Sequence, residues 1–460
     1  MILIGDCIGA TYTWQGGAKG GAGSDGTNLF KAANWSQGGF TARNSDLIFT
    51  NINDSPSSIL NVSASATLNS ITYGVGALSF TLTNSTFQLT LNGGTNIIDY
   101  STNMETLSVG IVLGGDATWK ITNGAHLAIN STVSDGAASY GITMIGGGTL
   151  SLKDANTFNG GFTLSTGTLI LGNSLALGFS GSGGTGAVSV SGAGTIRAGV
   201  SGLQIGNAIH LSTNCLTLDA AGYAWIHSGP ISGNGGGINV VSTGSPGTMT
   251  LSGSNSYTGS TFIQDVLLSL GVGGLLGNTS GIQIASGGGL LLTESNQVNS
   301  LASLTLQGGK ISMVSASSSA RTSYQALASL TLTTNSLIDF GALSGASTLN
   351  FGSISGLSSH TLNVYNWNGT TLWGETSTPG GAGQYTHLLD ASSGMLSSAE
   401  LSHISFYSGA GTGFLGTGGI MGHEIIPVPE PAVIITPLLI LMILPFFMRI
   451  EWRLDLPQGH

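Results

Sequence analysis

Two stretches of this chain repeat each other without gaps, displaced by 99 residues. Residues 148–152 (GTLSL) match 247–251 (GTMTL), residues 156–160 (NTFNG) match 255–259 (NSYTG), and residues 169–172 (LILG) match 268–271 (LSLG). Within each copy, apolar and polar residues alternate over four to six positions, and Gly, Asn and Ser interrupt the runs. This pattern predicts short β-strands separated by tight turns.

Composition narrows the fold to two all-β architectures. Glycine supplies 75 of the 460 residues, and helical periodicity is nearly absent between residues 40 and 390, which leaves a β-solenoid or a set of sandwiches. The fixed repeat period and the Gly-rich corners, where positive φ is needed, favour the solenoid. Residues 105–375 would give on the order of ten coils, a rod of roughly 50 Å at about 4.8 Å per coil.

The repeated segments, 147–172 and 246–271, resemble the autotransporter-associated β-strand repeat of bacterial surface proteins. This resemblance implies an all-β, right-handed parallel β-helix. The opening segments YTW (12–14), NLFKAANW (28–35) and DLIF (46–49) resemble the cap that often precedes such repeats, and residues 401–418 resemble the segment that often follows them. The tail has one apolar segment rather than a series of alternating strands, so self-secretion through an outer-membrane barrel is not implied.

The C-terminus carries a 17-residue apolar run without charge, residues 432–448. As a helix it would extend about 26 Å, near the lower limit for crossing a bilayer. Arg449 and Arg453 follow it, so the positive-inside rule places the tail in the cytoplasm and the bulk of the chain outside. A buried core helix at the chain end is the alternative. We therefore expect a single transmembrane helix over 432–448.

Directly before this run stand Pro429, Glu430 and Pro431. A Pro-Glu-Pro tripeptide, an apolar helix and arginine at the terminus resemble the PEP-CTERM sorting signal. The resemblance implies that an exosortase, a membrane-embedded cysteine transpeptidase or protease, recognises the tripeptide. The two prolines keep this segment extended, as entry into a cleft requires.

These features predict five regions along the chain. Residues 1–10 are the remnant of an export signal whose basic part is missing, which suggests that the true start lies upstream. Residues 11–104 form an N-terminal β cap region, 105–375 the β-helix repeats, 376–426 a C-terminal β segment, and 427–460 the sorting signal.

Charge and cysteine content exclude several functions. Only 10 Lys and Arg occur in the whole chain, so the basic surface of a nucleic-acid-binding protein is missing. Cys7 and Cys215 could form one disulfide in an exported protein, or remain separate thiols. No two of the eight histidines have a metal-ligand spacing, and we expect no metal and no cofactor.

No catalytic residue is nominated, because the acidic residues of the repeat region are too sparse to identify a pair. A polysaccharide lyase or hydrolase on a β-helix remains the alternative. Trp119, Trp225, Trp367 and Trp373 could stack on sugars or fill the coil interior, and the interior placement is favoured. The sequence predicts a non-enzymatic, membrane-tethered cell-surface or matrix protein with an adhesive or structural role, whose partners are an exosortase-like enzyme and exopolysaccharide or other surface glycans.

Overall fold

A computed structural model gives the architecture of the chain. It describes residues 10–16, 24–36, 43–50, 58–178, 186–313, 323–341, 347–369, 387–390, 396–421 and 423–428. These residues form a parallel β-solenoid of about 13 turns with almost no helix.

The strands are short, as the alternating sequence predicts. The first part of the chain contains β1 (Thr11–Thr13), β2 (Arg43–Phe49), β3 (Ile59–Asn61), β4 (Ala66–Tyr73), β5 (Thr81–Leu91), β6 (Gly94–Asp99), β7 (Met104–Leu113), β8 (Ala117–Ile121), β9 (His126–Ile129), β10 (Val133–Ser134), β11 (Ile142–Ile145), β12 (Thr149–Leu152), β13 (Phe162–Leu164) and β14 (Gly167–Leu171). The central part contains β15 (Val188–Val190), β16 (Gly194–Ala198), β17 (Leu203–Ile205), β18 (Ile209–Leu211), β19 (Leu216–Asp219), β20 (Ala224–His227), β21 (Ile231–Gly233), β22 (Ile238–Val241), β23 (Gly247–Leu251), β24 (Ser254–Asn255), β25 (Thr261–Gln264), β26 (Val266–Leu270), β27 (Leu275–Leu276) and β28 (Gly281–Ala285). The last part contains β29 (Gly289–Leu292), β30 (Ser303–Gln307), β31 (Lys310–Met313), β32 (Ser323–Leu327), β33 (Ser329–Thr334), β34 (Ser336–Asp339), β35 (Ser347–Phe351), β36 (Ile354–Ser355), β37 (Leu362–Tyr365), β38 (His387–Asp390), β39 (Ile404–Tyr407), β40 (Phe414–Met421) and β41 (Glu424–Val428). A 3-10 helix covers Ala32–Asn34, and helix α1 covers Ser398–Leu401.

Between β15 and β23, each coil supplies one strand to each of three faces. Face 1 runs through β11, β13, β15, β18 and β21. Face 2 runs through β12, β14, β16, β19, β22, β25, β28, β30, β33 and β36. Face 3 runs through β17, β20, β23, β26, β29, β31, β34, β37 and β39. All of these pairings are parallel, so each coil lies one strand spacing, about 4.8 Å, from the next.

The core consists of aliphatic side chains stacked in columns inside the coils. Because side chains alternate across a strand, every second residue points inward. One inward column of face 2 is formed by buried residues that are paired coil to coil, namely Leu150, Leu169, Ile196, Leu218, Val240, Ile263, Ile284, Leu306 and Leu332. The hydrophobic stabilisation is therefore distributed along the rod rather than concentrated in one centre.

An aromatic cluster closes the N-terminal end of the core. Trp14 and Trp35 meet edge to face with ring centroids 5.1 Å apart, and Trp35 lies 5.8 Å from Phe49. Phe49 stacks on Tyr73 at 5.3 Å. The segments whose sequence resembles a repeat cap thus come together around one buried cluster. The parallel pairing continues through the predicted boundary between the cap and the repeats at residue 105. β7 contains this residue and pairs in parallel with β5.

Antiparallel strands close the other end. β40 pairs antiparallel with β39, and β41 pairs antiparallel with β40. β41 also pairs antiparallel with β38, where Glu424 lies opposite Leu389. β38 itself continues the parallel series β32, β35 and β38, so the last described strand lies between this series and the strands at the end of face 3.

Within the described residues, no helix has the length and apolar character needed to cross a membrane. The predicted transmembrane segment 432–448 lies outside these residues.

Candidate functional site

The repeated motif has a defined structural role at its asparagine. Asn156 is buried, and its Oδ1 accepts a hydrogen bond from the Val133 backbone N at 2.8 Å while its Nδ2 donates to the Ala176 carbonyl. Val133 lies one coil before Asn156 and Ala176 one coil after it. One amide side chain therefore connects three consecutive coils and satisfies backbone groups that lie inside the core.

Asn255, at the same position in the second copy, makes the same contacts. Its Oδ1 accepts from the Ile231 backbone N at 2.9 Å, and its Nδ2 donates to the Leu275 carbonyl at 2.9 Å. The aromatic residues two positions later, Phe158 and Tyr257, are both buried. The motif is thus a device for joining coils.

The glycine of the motif is required by close packing between coils. A Cβ on Gly160 would lie 2.3 Å from the Tyr140 carbonyl carbon, and one on Gly259 would lie 2.4 Å from the Gly236 carbonyl carbon. Any larger residue would force neighbouring backbones apart.

The outer surface of face 3 carries a groove of about 340 Å³ near its C-terminal end. The floor of the groove is formed by glycines, which have no side chains to fill it. Gly287 and Gly288 lie at the corner of one coil, Gly308 lies at the corner of the next, and Gly289 begins the strand beside them. Lys310, Leu337 and Asn363 follow Gly289 in direct pairing along face 3. Backbone and amide groups thus line a concave strip that contains a single cation.

Lys310 is the only cationic side chain of this groove. In the sequence it is the only Lys or Arg between Arg197 and Arg321. Its Cε would be 3.8 Å from a Cβ on Gly289, so the stem extends over the neighbouring coil where a side chain is missing. The two ion pairs found among the described residues are Lys31–Asp25 and Arg197–Asp219, so Lys310 forms no ion pair with a described Asp or Glu.

Asn335, at the rim of the groove, is exposed and fixed in orientation. Its Oδ1 accepts a hydrogen bond from the Thr361 backbone N at 2.8 Å. That bond leaves the two Nδ2 hydrogens available as donors.

Aromatic rings border the groove on its C-terminal side. Tyr365 lies two residues beyond Asn363 on the same strand, about 7 Å further along. Tyr365 meets Tyr407 at 5.3 Å between ring centroids, and Tyr407 meets Phe414 at 5.5 Å. The Phe414 side chain is 47% exposed. Outward-facing rings in a row beside polar groups form a surface with both apolar and hydrogen-bonding parts.

A buried acidic cluster lies apart from this surface, in the N-terminal coils. Asp99 and Glu105 are fully buried, and Glu105 Oε2 accepts from the Phe80 backbone N at 2.7 Å. Burial raises the pKa of Glu105 to about 8 and that of Asp99 to about 6. Burial and these two carboxyl groups also raise the pKa of Tyr73. Solvent does not reach the cluster, so it is part of the core and offers no entry to a substrate.

The tryptophans considered in the sequence analysis lie in the core of the solenoid where the structure describes them. Trp119, Trp225 and Trp367 are buried, so a sugar-stacking surface made of these rings is excluded, and their interior placement is confirmed; Trp373 lies outside the described residues.

His227 is not at a surface or corner as a lone histidine usually is. It is buried, its Nε2 lies 3.0 Å from the Asn207 carbonyl oxygen, and burial lowers its pKa to about 4. In the part of the chain that the structure covers, no three His, Cys, Asp or Glu side chains form a metal-binding group.

Pro429, Glu430, Pro431, Arg449 and Arg453 lie outside the described residues, as does Cys7. Cys215 is an exposed thiol. The sorting signal therefore stays a prediction, and the two alternatives for Cys7 and Cys215, one disulfide or two separate thiols, stay untested. Pro429 follows directly on Val428, the last residue of the strand that closes the solenoid.

Sequence comparison identifies the repeats. Two segments, residues 142–171 and 243–265, match the passenger-associated-transport-repeat family model. The chain carries passenger-associated transport repeats. The matched segments contain both copies of the asparagine, aromatic and glycine positions described above, so the passenger-associated transport repeat corresponds here to the coil-joining device. No curated protein and no solved structure shows significant similarity to the chain.

Lys310 and the aromatic row were not identified from the sequence alone. The available signals were a run of three glycines at 287–289, a Gly-Gly pair at 308–309 followed by a lone lysine, and the two tyrosines at 365 and 407. None of these signals is specific until the register places these residues on one face.

Proposed function

We propose that this protein is an exported, membrane-tethered β-solenoid of the bacterial cell surface or matrix with an adhesive or structural role. The observation that carries the proposal is the continuous parallel solenoid that contains passenger-associated transport repeats. Such a rod displays a long surface at a fixed distance from its attachment point, which is what adhesion and matrix formation require.

The attachment is assigned to the C-terminal segment 432–448, and Arg449 and Arg453 hold its cytoplasmic end. An exosortase-like enzyme reads Pro429, Glu430 and Pro431. The tripeptide directly follows β41, so the anchor leaves the rod at its closed C-terminal end. In this arrangement the groove of face 3 lies nearer the membrane than the N-terminal cap does.

The alternative, a polysaccharide lyase or hydrolase, receives less support. Glycoside hydrolysis requires two carboxyl groups on either side of the scissile bond, and the residues that line the groove include no Asp or Glu. The described pair of close carboxyl groups, Asp99 and Glu105, is fully buried.

Fractionation of cells that express the full chain tests the proposal. The wild-type protein is expected in the envelope and accessible to added protease. Replacing Pro429 and Pro431 by alanine is expected to block processing and retain the chain in the membrane. A matched variant with Pro457→Ala, beyond the apolar run, is expected to behave as wild type. A cytoplasmic wild-type protein, or unchanged processing of the Pro429→Ala/Pro431→Ala variant, would contradict the proposal.

A further inference from the structure

The groove and the aromatic row together have the chemistry of a site for an acidic sugar chain. Lys310, Leu337, Asn363 and Ser405 occupy paired positions on four successive strands of face 3. Three strand spacings separate Lys310 from the β39 strand that carries Tyr407, or about 14 Å. An extended oligosaccharide of a few rings spans that distance.

Lys310 is the one charged side chain that lines the groove, so it favours an anionic group of the ligand at its position. Two described carboxyl groups lie nearby. Asp265 Oδ1 lies beside Gly287, and Asp339, which pairs with Tyr365, accepts hydrogen bonds from Gly341 N and Asn366 Nδ2. The Lys310 ammonium group is attached to a stem that lies over Gly289, where it can meet a carboxylate from solution. An exposed pair of this kind contributes modestly to affinity and weakens as salt is added.

The amide groups supply hydrogen bonds at fixed positions. Asn335 is oriented by its bond from Thr361, and its free Nδ2 donors fit sugar hydroxyl or carboxylate oxygens. Asn363, half-buried at the groove wall, provides both a donor and an acceptor. Because Asn335 is already oriented, little ordering of this side chain is needed on binding.

The aromatic row supplies apolar surface for the C–H faces of sugar rings. Phe414 is exposed although it lies on the strand that closes the solenoid, and its ring is held against Tyr407. The neighbouring loop is fixed by Asp339, whose Oδ1 accepts from Gly341 N at 2.9 Å and from Asn366 Nδ2 at 2.6 Å. The row therefore lies beside a hydrogen-bonded loop.

We propose that this surface of face 3 binds an acidic polysaccharide, with Lys310 pairing a uronate carboxylate, Asn335 and Asn363 binding polar oxygens, and Tyr407 and Phe414 stacking on sugar rings. The inference deepens the proposed adhesive function by assigning its ligand class. The role of this site in adhesion rests on the proposed function, whereas the binding of an acidic polysaccharide rests only on the residues of the surface.

Titration calorimetry of the detergent-solubilised full chain tests this site, with polygalacturonate as the acidic ligand and dextran as the neutral one. Wild-type protein is expected to bind polygalacturonate and not dextran, and an increase in NaCl from 50 to 500 mM is expected to weaken binding. Lys310→Gln is expected to weaken binding three- to tenfold, and Phe414→Ser similarly. Lys153→Gln, which removes an exposed lysine elsewhere on the rod, is expected to bind as wild type.

Equal binding of the two polymers, no binding of either, or unchanged binding by Lys310→Gln would overturn the assignment. The calorimetry uses purified protein and therefore does not test where the protein is located in the cell. If no binding is measured, the proposed surface location still stands and is tested by fractionation. Conversely, a mislocated protein that binds polygalacturonate would refute the proposed location and keep the site.

Discussion

Asn156 and Asn255 make equivalent hydrogen bonds but lie on different faces of the solenoid. Asn255 belongs to β24 and contacts Ile231 of β21 on face 1. Asn156 follows β12 of face 2 and contacts Val133 in the coil before it. From β12 to β22 the chain makes four full coils on face 2, and the second copy begins one face later, with β23. The 99-residue repeat is therefore not a whole number of coils, and the motif joins coils on whichever face it occupies.

Removing either asparagine is expected to destabilise the rod. Asn156→Ala or Asn255→Ala leaves a buried backbone N–H and a buried carbonyl without partners, and the expected loss is about 2 kcal/mol. Chemical denaturation followed by circular dichroism measures it. Asn130→Ala, at an exposed position, is the control and should change the midpoint little. Equal midpoints for all three variants and wild type would show that the amide bridges contribute nothing to stability.

The motif glycines are expected to tolerate no side chain. At Gly160 or Gly259 an added methyl group would overlap backbone atoms of the neighbouring coil, and such overpacking costs about 1 to 3 kcal/mol. Gly277→Ala is the matched control, because its new Cβ would meet only the Asn255 carbonyl oxygen at an ordinary 3.6 Å. Thermal unfolding should separate the two motif variants from this control. A Gly277→Ala variant as unstable as the other two would contradict the steric explanation.

The buried acidic cluster predicts a pH dependence of stability. Since burial raises the pKa of Asp99 to about 6 and that of Glu105 to about 8, the folded state holds their protons more tightly than the unfolded state does. Their favourable contribution is complete below the unfolded pKa, near 4, and is lost as pH rises through about 6 and then 8. We expect a lower denaturation midpoint at pH 9 than at pH 6.

Glu105→Gln keeps an acceptor for the Phe80 backbone N but cannot ionise, so it should flatten much of this dependence. Asp154→Asn, at an exposed site, should retain the wild-type slope. Parallel midpoint-against-pH curves for Glu105→Gln and wild type would exclude Glu105 as the source.

The alternation of residues such as those in β12 and β26 was enough to predict short strands, because a period of two directly encodes inward and outward positions. The repeat and its Gly-rich corners favoured a solenoid, and the resemblance to the autotransporter-associated repeat implied parallel coils. The placement of the two repeats was not predictable. The coils differ in length, with 19 residues between Thr149 and its partner Thr168 but 27 between Gly167 and its partner Gly194, so a sequence offset does not define a face.

The proposed binding surface could not be predicted from the sequence for the same reason. Lys310, Asn363 and Tyr407 come together only through pairing across several coils, and their sequence separations follow no fixed interval. Asp99 and Glu105 are close in sequence, but their burial depends on the coils stacked on both sides of them.

Parallel stacking of the coils in a single rod fixes the distance between any two positions of one column. Spin labels placed in a Cys7→Ser/Cys215→Ser background test this stacking most directly, with one label at Thr149 and the second at Asn239, Thr305 or Thr331. These positions follow one another in the same paired column of face 2, four, seven and eight coils away from Thr149. Pulsed dipolar spectroscopy should give distances of about 19, 34 and 38 Å, increasing by one strand spacing per coil. Distances that do not increase with the number of coils would contradict the solenoid.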